Sequence, residues 1–338
     1  MRLMTSFSRS SGAAGVAVTA AAVVLAAAVA VPSAALRPAS AASVAKPILF
    51  GAAAATKTQI LAHEQVLGRK MQGIRQFRKW DSTLFGATER WARDTGHTLF
   101  TSVKAERRDG TVVRWRDIAN AAPGSRLHND MLSQARQLKD FGAKVYFIFN
   151  HEPEVTRWKM GSPADFIAAW RKVVTVYRNA GVTNVEYVWT MTAWGFKRKD
   201  ADNARYYYPG DAYVHHIAAD PYNWYRCRRS TGTWGNMANI LEGHRQFGLQ
   251  HPTKGLMLME WGSAEDGASP GRKAQWTRDL ITLFQKPAYA QYKAVLQWGG
   301  RSDNIAGRCN FDYLSSSSAT RAWRDMGNHP AFLAKVLS

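Results

Sequence analysis

Two unbroken apolar runs each open into a short polar one. Val145-Tyr146-Phe147-Ile148-Phe149 leads into Asn150-His151-Glu152-Pro153-Glu154, and Leu256-Met257-Leu258-Met259 leads into Glu260-Trp261-Gly262-Ser263. Three further runs exit similarly, into Thr192-Ala193-Trp194, Asp220-Pro221-Tyr222-Asn223-Trp224 and Gln297-Trp298-Gly299-Gly300. Gathered at one mouth, these exits present two glutamates among several aromatic rings. That combination suits cleavage of a glycosidic bond, in which one carboxyl protonates the leaving oxygen and the other, ionised, attacks the anomeric carbon. Different surroundings would split the two pKa values, and flat rings suit the C–H face of a sugar. A zinc site of the His-Glu-x-x-His type is excluded because Val155 stands where the second histidine is required. Cysteine and histidine spacing suggests no metal, no glycine-rich phosphate loop is present, and no cofactor is expected.

The elements that must carry these exits alternate in type. Strand-like runs fall at 47–51, 73–78, 97–103, 143–149, 185–191, 215–220, 255–260 and 292–298. Most are continuously apolar, as expected for a parallel sheet buried on both faces. Helical repeats lie between them. Residues 129–141 place Met131, Leu132, Ala135, Leu138 and Phe141 on one side, with Gly142 as a stop. Residues 163–179 open on Ser162-Pro163, an N-cap followed by proline at the first helical position. Stretches 271–285 and 318–326 behave alike. Eight strands with helices between them predict an α/β fold, the (β/α)8 TIM barrel, as a single domain. An open doubly wound sheet is the alternative. In a barrel the residues just past each strand line the active face.

The first forty residues form a separate object. Arg2 and Arg9 precede an uncharged Ala/Val stretch over 13–31, then Pro32 and the small-residue site Ala39-Ser40-Ala41. This pattern predicts a signal peptide over 1–41 and secretion of residues 42–338; a single membrane anchor is the competing reading. No stable membrane anchor is expected. Cys227 and Cys309 are the only cysteines. In an exported chain they are expected to pair, joining the loops after strands six and eight; two inert thiols are the alternative. The chain has 338 residues and a formal charge of +20. Without the three arginines before residue 42, 42 basic and 25 acidic residues remain, a charge of +17. Such a field favours polyanions. The basic residues are scattered except at Arg226, Arg228 and Arg229, and no nucleic-acid motif is present. Glu154, Glu265 and Asp266 are expected to be solvated.

From about Pro47 onward the chain resembles glycoside hydrolase family 26. The residues that carry the likeness are Phe50-Gly51, His151-Glu152, Asp220-Pro221-Tyr222, Glu260-Trp261-Gly262 and Trp298. The resemblance implies a retaining mechanism with Glu152 as acid/base and Glu260 as nucleophile, their carboxyls about 5–5.5 Å apart. It also implies His151 in the catalytic subsite, Tyr222 hydrogen-bonded to the nucleophile and Trp298 as the platform beneath the sugar. Asn150, Trp194 and Asp220 complete the expected substrate-binding set. Two departures concern specificity. Pro153-Glu154-Val155 follows the acid/base where mannanases carry an Asn-Gly-x-Trp-like stretch, with Trp158 displaced. Ser102-Val103-Lys104 stands where they carry Trp-His.

The expected function is therefore that of a secreted, monomeric glycosidase acting on a β-linked polysaccharide, mannan-like or another β-glycan. An anionic or decorated form of that glycan is within the expected range, and the enzyme is expected not to bind nucleic acid. A non-catalytic carbohydrate- or cell-wall-binding protein on the same barrel is the alternative, disfavoured by the presence of both glutamates. A basic protein binding by charge alone would need neither.

Overall fold

A computed structural model describes residues 47–227, 231–299, 301–302 and 309–335. They belong to one compact unit, Val44–Ser338. Residues 1–41, expected to be a signal peptide with its Ala39-Ser40-Ala41 site, lie outside the described residues, as do Arg228, Arg229 and Gly300.

Eight strands close into a barrel. They are β1 (Leu49–Ala53), β2 (Gly73–Lys79), β3 (Thr98–Lys104), β4 (Val145–Phe149), β5 (Val185–Thr192), β6 (His216–Asp220), β7 (Gly255–Leu258) and β8 (Tyr292–Gln297). Every neighbouring pair is parallel, and β1 pairs with both β2 and β8. The sequence-based strands recur with small shifts. β7 stops at Leu258 and β8 at Gln297, so Glu260 and Trp298 stand beyond the ladder on the loops of the active face.

Successive side chains alternate between two environments. Leu49, Phe100, Tyr146, Ile148, Val188, Ala218, Met257, Ala294 and Leu296 form a cluster of their own, the barrel interior. The opposite parity, with Phe50, Ile74, Leu99, Phe147, Trp189 and Ile217, joins the large core beneath the helices. The helices are α1 (Lys57–Leu67), α2 (Ala87–Asp94), α3 (Trp115–Ala119), α4 (Arg126–Phe141), α5 (Pro153–Met160), α6 (Pro163–Asn179), α7 (Met237–Leu249), α8 (Arg272–Phe284) and α9 (Ser317–Asn328). Local signals set several of their ends. Ser162 and Asp165 form a reciprocal capping box on α6 with Pro163 at its first position, and Gly142 ends α4 in the left-handed region at φ 71°. Ser316, in the serine run, caps α9.

The barrel departs from the strict alternation at one place. Between β5 and β6 the chain makes three short 3-10 turns, Gly195–Lys197, Ala204–Tyr206 and Asp211–Tyr213, in place of a helix. Residues 195–211 are rich in Gly, Pro, Asp and basic residues and carry no apolar repeat that could lay a helix on the barrel.

Closure brings β1 and β2 unusually near each other at Gly51, which is in register with Gly73. A Cβ on Gly51 would stand 2.2 Å from the Gly73 carbonyl oxygen, a backbone atom that cannot turn aside. Gly51→Ala should therefore force the two strands apart and destabilise the protein by about 3 kcal/mol or more, the upper range for overpacking. A denaturant titration showing a loss below about 1 kcal/mol would contradict this packing.

Candidate active site

The inward parity of the strands becomes polar at the top of the barrel. Arg75, on β2, is fully buried. Its guanidinium donates to the Met259 carbonyl at 2.7 Å and to Ser102 Oγ of β3 at 3.2 Å. It lies 3.1 Å from Glu260 Oε1 and 3.6 Å from Asp220 Oδ1. Tyr222 Oη donates to the other oxygen of Glu260 at 2.7 Å. One carboxylate thus receives a cation on one side and a phenol on the other.

Tyr222 is placed by a small extension of the sheet. Pro221 breaks β6, after which Tyr222-Asn223 pairs in parallel with Gly262-Ser263, Tyr222 opposite Gly262. Asn223 Nδ2 donates to Ser263 Oγ at 3.0 Å and locks that register. Behind it Cys227 and Cys309 are bonded, with Cα atoms 4.9 Å apart. The bridge packs with Ala264 and Phe311 against Tyr222, Trp224 and Trp298. It spans 82 positions, and the chain-entropy account values such a loop at about 4–5 kcal/mol before strain.

Glu152 comes from a strained corner. Asn150 and Glu152 have φ of 42° and 49°, left-handed values that cost a residue with a Cβ about 1–3 kcal/mol each. Backbone bonds hold the corner: Asn150 N–H donates to Val103 O at 2.8 Å and Glu152 N–H to Thr190 O at 3.0 Å. Asn150 was expected to bind substrate. It is instead 1% exposed, and its side-chain oxygen accepts from Ala105 N–H at 3.0 Å, so it braces β4 against the loop after β3.

Glu152, Asp220, Tyr222, Glu260, Trp194 and Trp298 line one cavity of about 810 Å³. Trp194 is 65% exposed at its rim. His151 stands beside it, Nε2 4.0 Å from Glu260 Oε1, its ring against Phe77. Burial, and then the charges of Asp220, Glu260 and Glu154, push the Glu152 carboxyl well above the usual range, with Arg75 opposing. The main cause is thus desolvation rather than the neighbouring carboxylate alone. Asp220 is likewise raised, by burial first, with Arg75 pulling the other way. His151 is held well below its ordinary value by burial, Arg75 and Lys104, and so is neutral near pH 7. The site therefore offers a protonated carboxyl and a carboxylate braced by donors, the two functions that acetal cleavage requires.

Three carboxyls expected in solvent are engaged. Glu154 lines the cavity, and its Oε1 accepts from Thr192 N–H at 2.9 Å and Thr192 Oγ1 at 2.6 Å. Burial lifts its pKa to about 7. Glu265 accepts from Ser315 and Ser316, and Asp266 pairs with Arg272 at 2.8 Å. Glu154 and Glu265 are drawn in by partners distant in sequence, Asp266 by an arginine six residues on. Arg75 and Phe311 were missed altogether. An arginine at an inward position of β2, in Gly73-Ile74-Arg75-Gln76-Phe77, is the signal that could have found the first; nothing local marks the second.

Residues 116–258 match the family model described as glycosyl hydrolase family 26. Endoglucanase H of Acetivibrio thermocellus is 25% identical over 288 residues, covering 80% of this chain and 29% of that protein. The chain therefore spans less than a third of that curated relative. Among solved structures, the Cellulomonas fimi endo-β-1,4-mannanase double mutant superposes with a TM-score of 0.61 at 16% identity, covering 86% of this chain and 73% of that one. A family 26 β-mannanase from Bacteroides ovatus gives 0.59 at 17%, covering 85% and 90%. At such identities these structures speak for the shared fold. The family model matches under half of the chain, and together with the relative aligned over 80% of it and the shared barrel fold it supports a likeness to glycoside hydrolase family 26.

Proposed function

We propose that this protein is a secreted retaining glycosidase that cleaves a β-linked polysaccharide, with Glu260 as nucleophile and Glu152 as acid/base. The observation that carries the reading is the unequal treatment of two carboxyls in one cleft. Glu260 faces Arg75 at 3.1 Å and accepts from Tyr222 at 2.7 Å, while Glu152 is pushed toward its protonated form.

Glu260 attacks the anomeric carbon as the glycosidic C–O bond breaks, and the proton on Glu152 passes to the departing oxygen. The glycosyl ester on Glu260 then meets water. Glu152, now ionised, removes a proton from that water as it attacks, and Glu260 leaves as carboxylate. Burial and the adjoining Glu260 keep the Tyr222 phenol protonated, so it remains a donor throughout. Trp298 and Trp194 supply faces for sugar rings, and neutral His151 a hydrogen-bonding edge. Relatives described as an endoglucanase and as β-mannanases support a β-glycan as substrate.

Export is part of the proposal: a signal peptide over 1–41, and a catalytic domain over 42–338. The disulfide supports an oxidising destination. N-terminal sequencing of protein recovered outside the cell should begin near residue 42; retention of residues 13–31 would reject it.

Glu260→Ala should lower turnover on every substrate by roughly 10⁴-fold or more. Glu152→Ala should lose about 10²–10⁴-fold on poor leaving groups and much less on activated aryl glycosides, where azide should restore part of the rate. Proton NMR of the first product should show the retained anomer. The inverted anomer, or full activity in Glu260→Ala, would refute the assignment.

The pH dependence follows from Glu154. Its folded pKa of about 7 lies above the ordinary 4.5. The unfolded chain therefore ionises it first, and its contribution to stability, complete below pH 4.5, is lost as pH rises toward 7. Glu154→Gln should remove that decline in a pH series of thermal melts. The ionised Glu154 also helps to hold Glu152 protonated, so the alkaline limb of kcat/KM in Glu154→Gln should move to lower pH. Melting curves and pH profiles that match the wild type would exclude this role.

A further inference from the structure

The inward parity of β2 and β3 continues past the catalytic groups to a cationic rim. On β2 the inward residues rise in order from Arg75, beside Glu260, through Phe77 to Lys79. On β3, Ser102 and then Lys104 do the same, and Lys79 is in register with Lys104. Phe77 is 39% exposed, its ring 5.4 Å from that of His151. Lys104 acts electrostatically on His151, which ties this rim to the reacting centre.

At the top of the rim three lysines converge on one acid. Lys79 pairs with Glu106, and Lys104 and Lys159 each lie 3.1 Å from its Oε2. Their side chains remain 41%, 36% and 26% exposed, whereas that of Glu106 is 11% exposed. Lys79 first, then Lys104 and Lys159, hold the Glu106 carboxyl at about 2 against the opposing effect of burial. It therefore stays ionised, and the cluster carries two uncompensated positive charges. The nearby acids Asp81 and Asp130 face Arg107 instead. Other cations near the cleft do have acids: Arg157 of α5 pairs with Asp202, and Arg198 with Asp200 and Asp202.

An aromatic platform stands beside this charge. Trp158, on α5 just after Glu152, is 81% exposed. Lys159 Nζ lies 5.8 Å from its ring centre. A large apolar ring left in water next to an unbalanced cation suits a sugar that stacks on the indole and offers an anion to the lysines.

We infer that Trp158 with Lys79, Lys104 and Lys159 forms a distal subsite for a sugar carrying an anionic substituent, a carboxylate or a sulfate, so that the preferred substrate is an anionic β-glycan. The inference rests on the glycosidase reading proposed above and names its substrate class. Lysine, as a compact point charge, accepts either anion.

Calorimetric titration in 0.15 M NaCl tests it with three probes of equal length: β-1,4-manno-oligosaccharide, its sulfated derivative and β-1,4-oligomannuronate. The wild type should bind at least one anionic probe about five- to tenfold more tightly than the neutral one, the effect of two exposed ion pairs. Which anion gains identifies the substituent. Lys79→Ala/Lys159→Ala should abolish that preference and leave neutral binding unchanged, and Lys79→Arg/Lys159→Arg should keep it. Arg321→Ser/Arg324→Ser removes two charges from exposed positions of α9 and should also keep it. If the alanine pair fails to fold, Lys79→Gln/Lys159→Gln removes the same two charges with side chains of similar reach and should reduce the preference. Equal or weaker binding of both anions by the wild type, or an equal loss in the α9 variant, overturns the subsite. Hydrolysis is followed separately. Anionic preference without cleavage of any probe, or of β-glucan and β-xylan oligosaccharides assayed beside them, would reject the glycosidase and support the subsite, whereas cleavage without preference would do the reverse.

Discussion

Arg75 lies buried between Glu260 at 3.1 Å and Asp220 at 3.6 Å, and the chemistry of the cleft is organised around that guanidinium. An unpaired buried charge costs several kcal/mol, so carboxyls at such a site must find a cation or hold a proton. One guanidinium cannot neutralise Glu152, Asp220 and Glu260 together. Burial and mutual repulsion resolve the excess by raising Glu152 and Asp220. Glu260 is left with Arg75 and with the phenol of Tyr222. The difference between the two glutamates is thus set by charge balance rather than by any property of the residues themselves.

That balance depends on backbone held from outside. Glu152 keeps its left-handed corner because Thr190 and Val103 on the neighbouring strands accept its own N–H and that of Asn150. Tyr222 meets Glu260 because the Tyr222-Asn223 and Gly262-Ser263 ladder extends two strands beyond the barrel. The disulfide supports that wall from behind, through Phe311. The barrel supplies rigidity, and the exits carry the strain.

The surface around the cleft is uneven in charge. On the β5 side Arg198 pairs with Asp200 and Asp202, and Asp202 also meets Arg157 of α5. On the β2–β3 side three lysines share one glutamate. Net charge alone could not locate this difference, because an ion pair depends on side-chain reach across elements.

Apolar run length and spacing were enough to determine eight strands alternating with helices, and so to favour the barrel over an open doubly wound sheet, since a strand buried on both faces and a helix buried on one leave different periods. They also determined which residues follow each strand, and so brought Glu152, Asp220, Tyr222, Glu260 and Trp298 to one cleft. Capping signals at Ser162-Pro163 and Gly142 were equally legible, being local. The tertiary structure alone decided what each polar side chain meets. Asn150 turned to the backbone of Ala105, Glu154 to Thr192, and Glu265 to Ser315. Arg75 entered the site from β2, 185 residues before the glutamate it faces. Such partners lie far apart in the chain and meet only when the barrel closes. Their pairing follows from distance and desolvation in three dimensions, on which local sequence pattern carries no information.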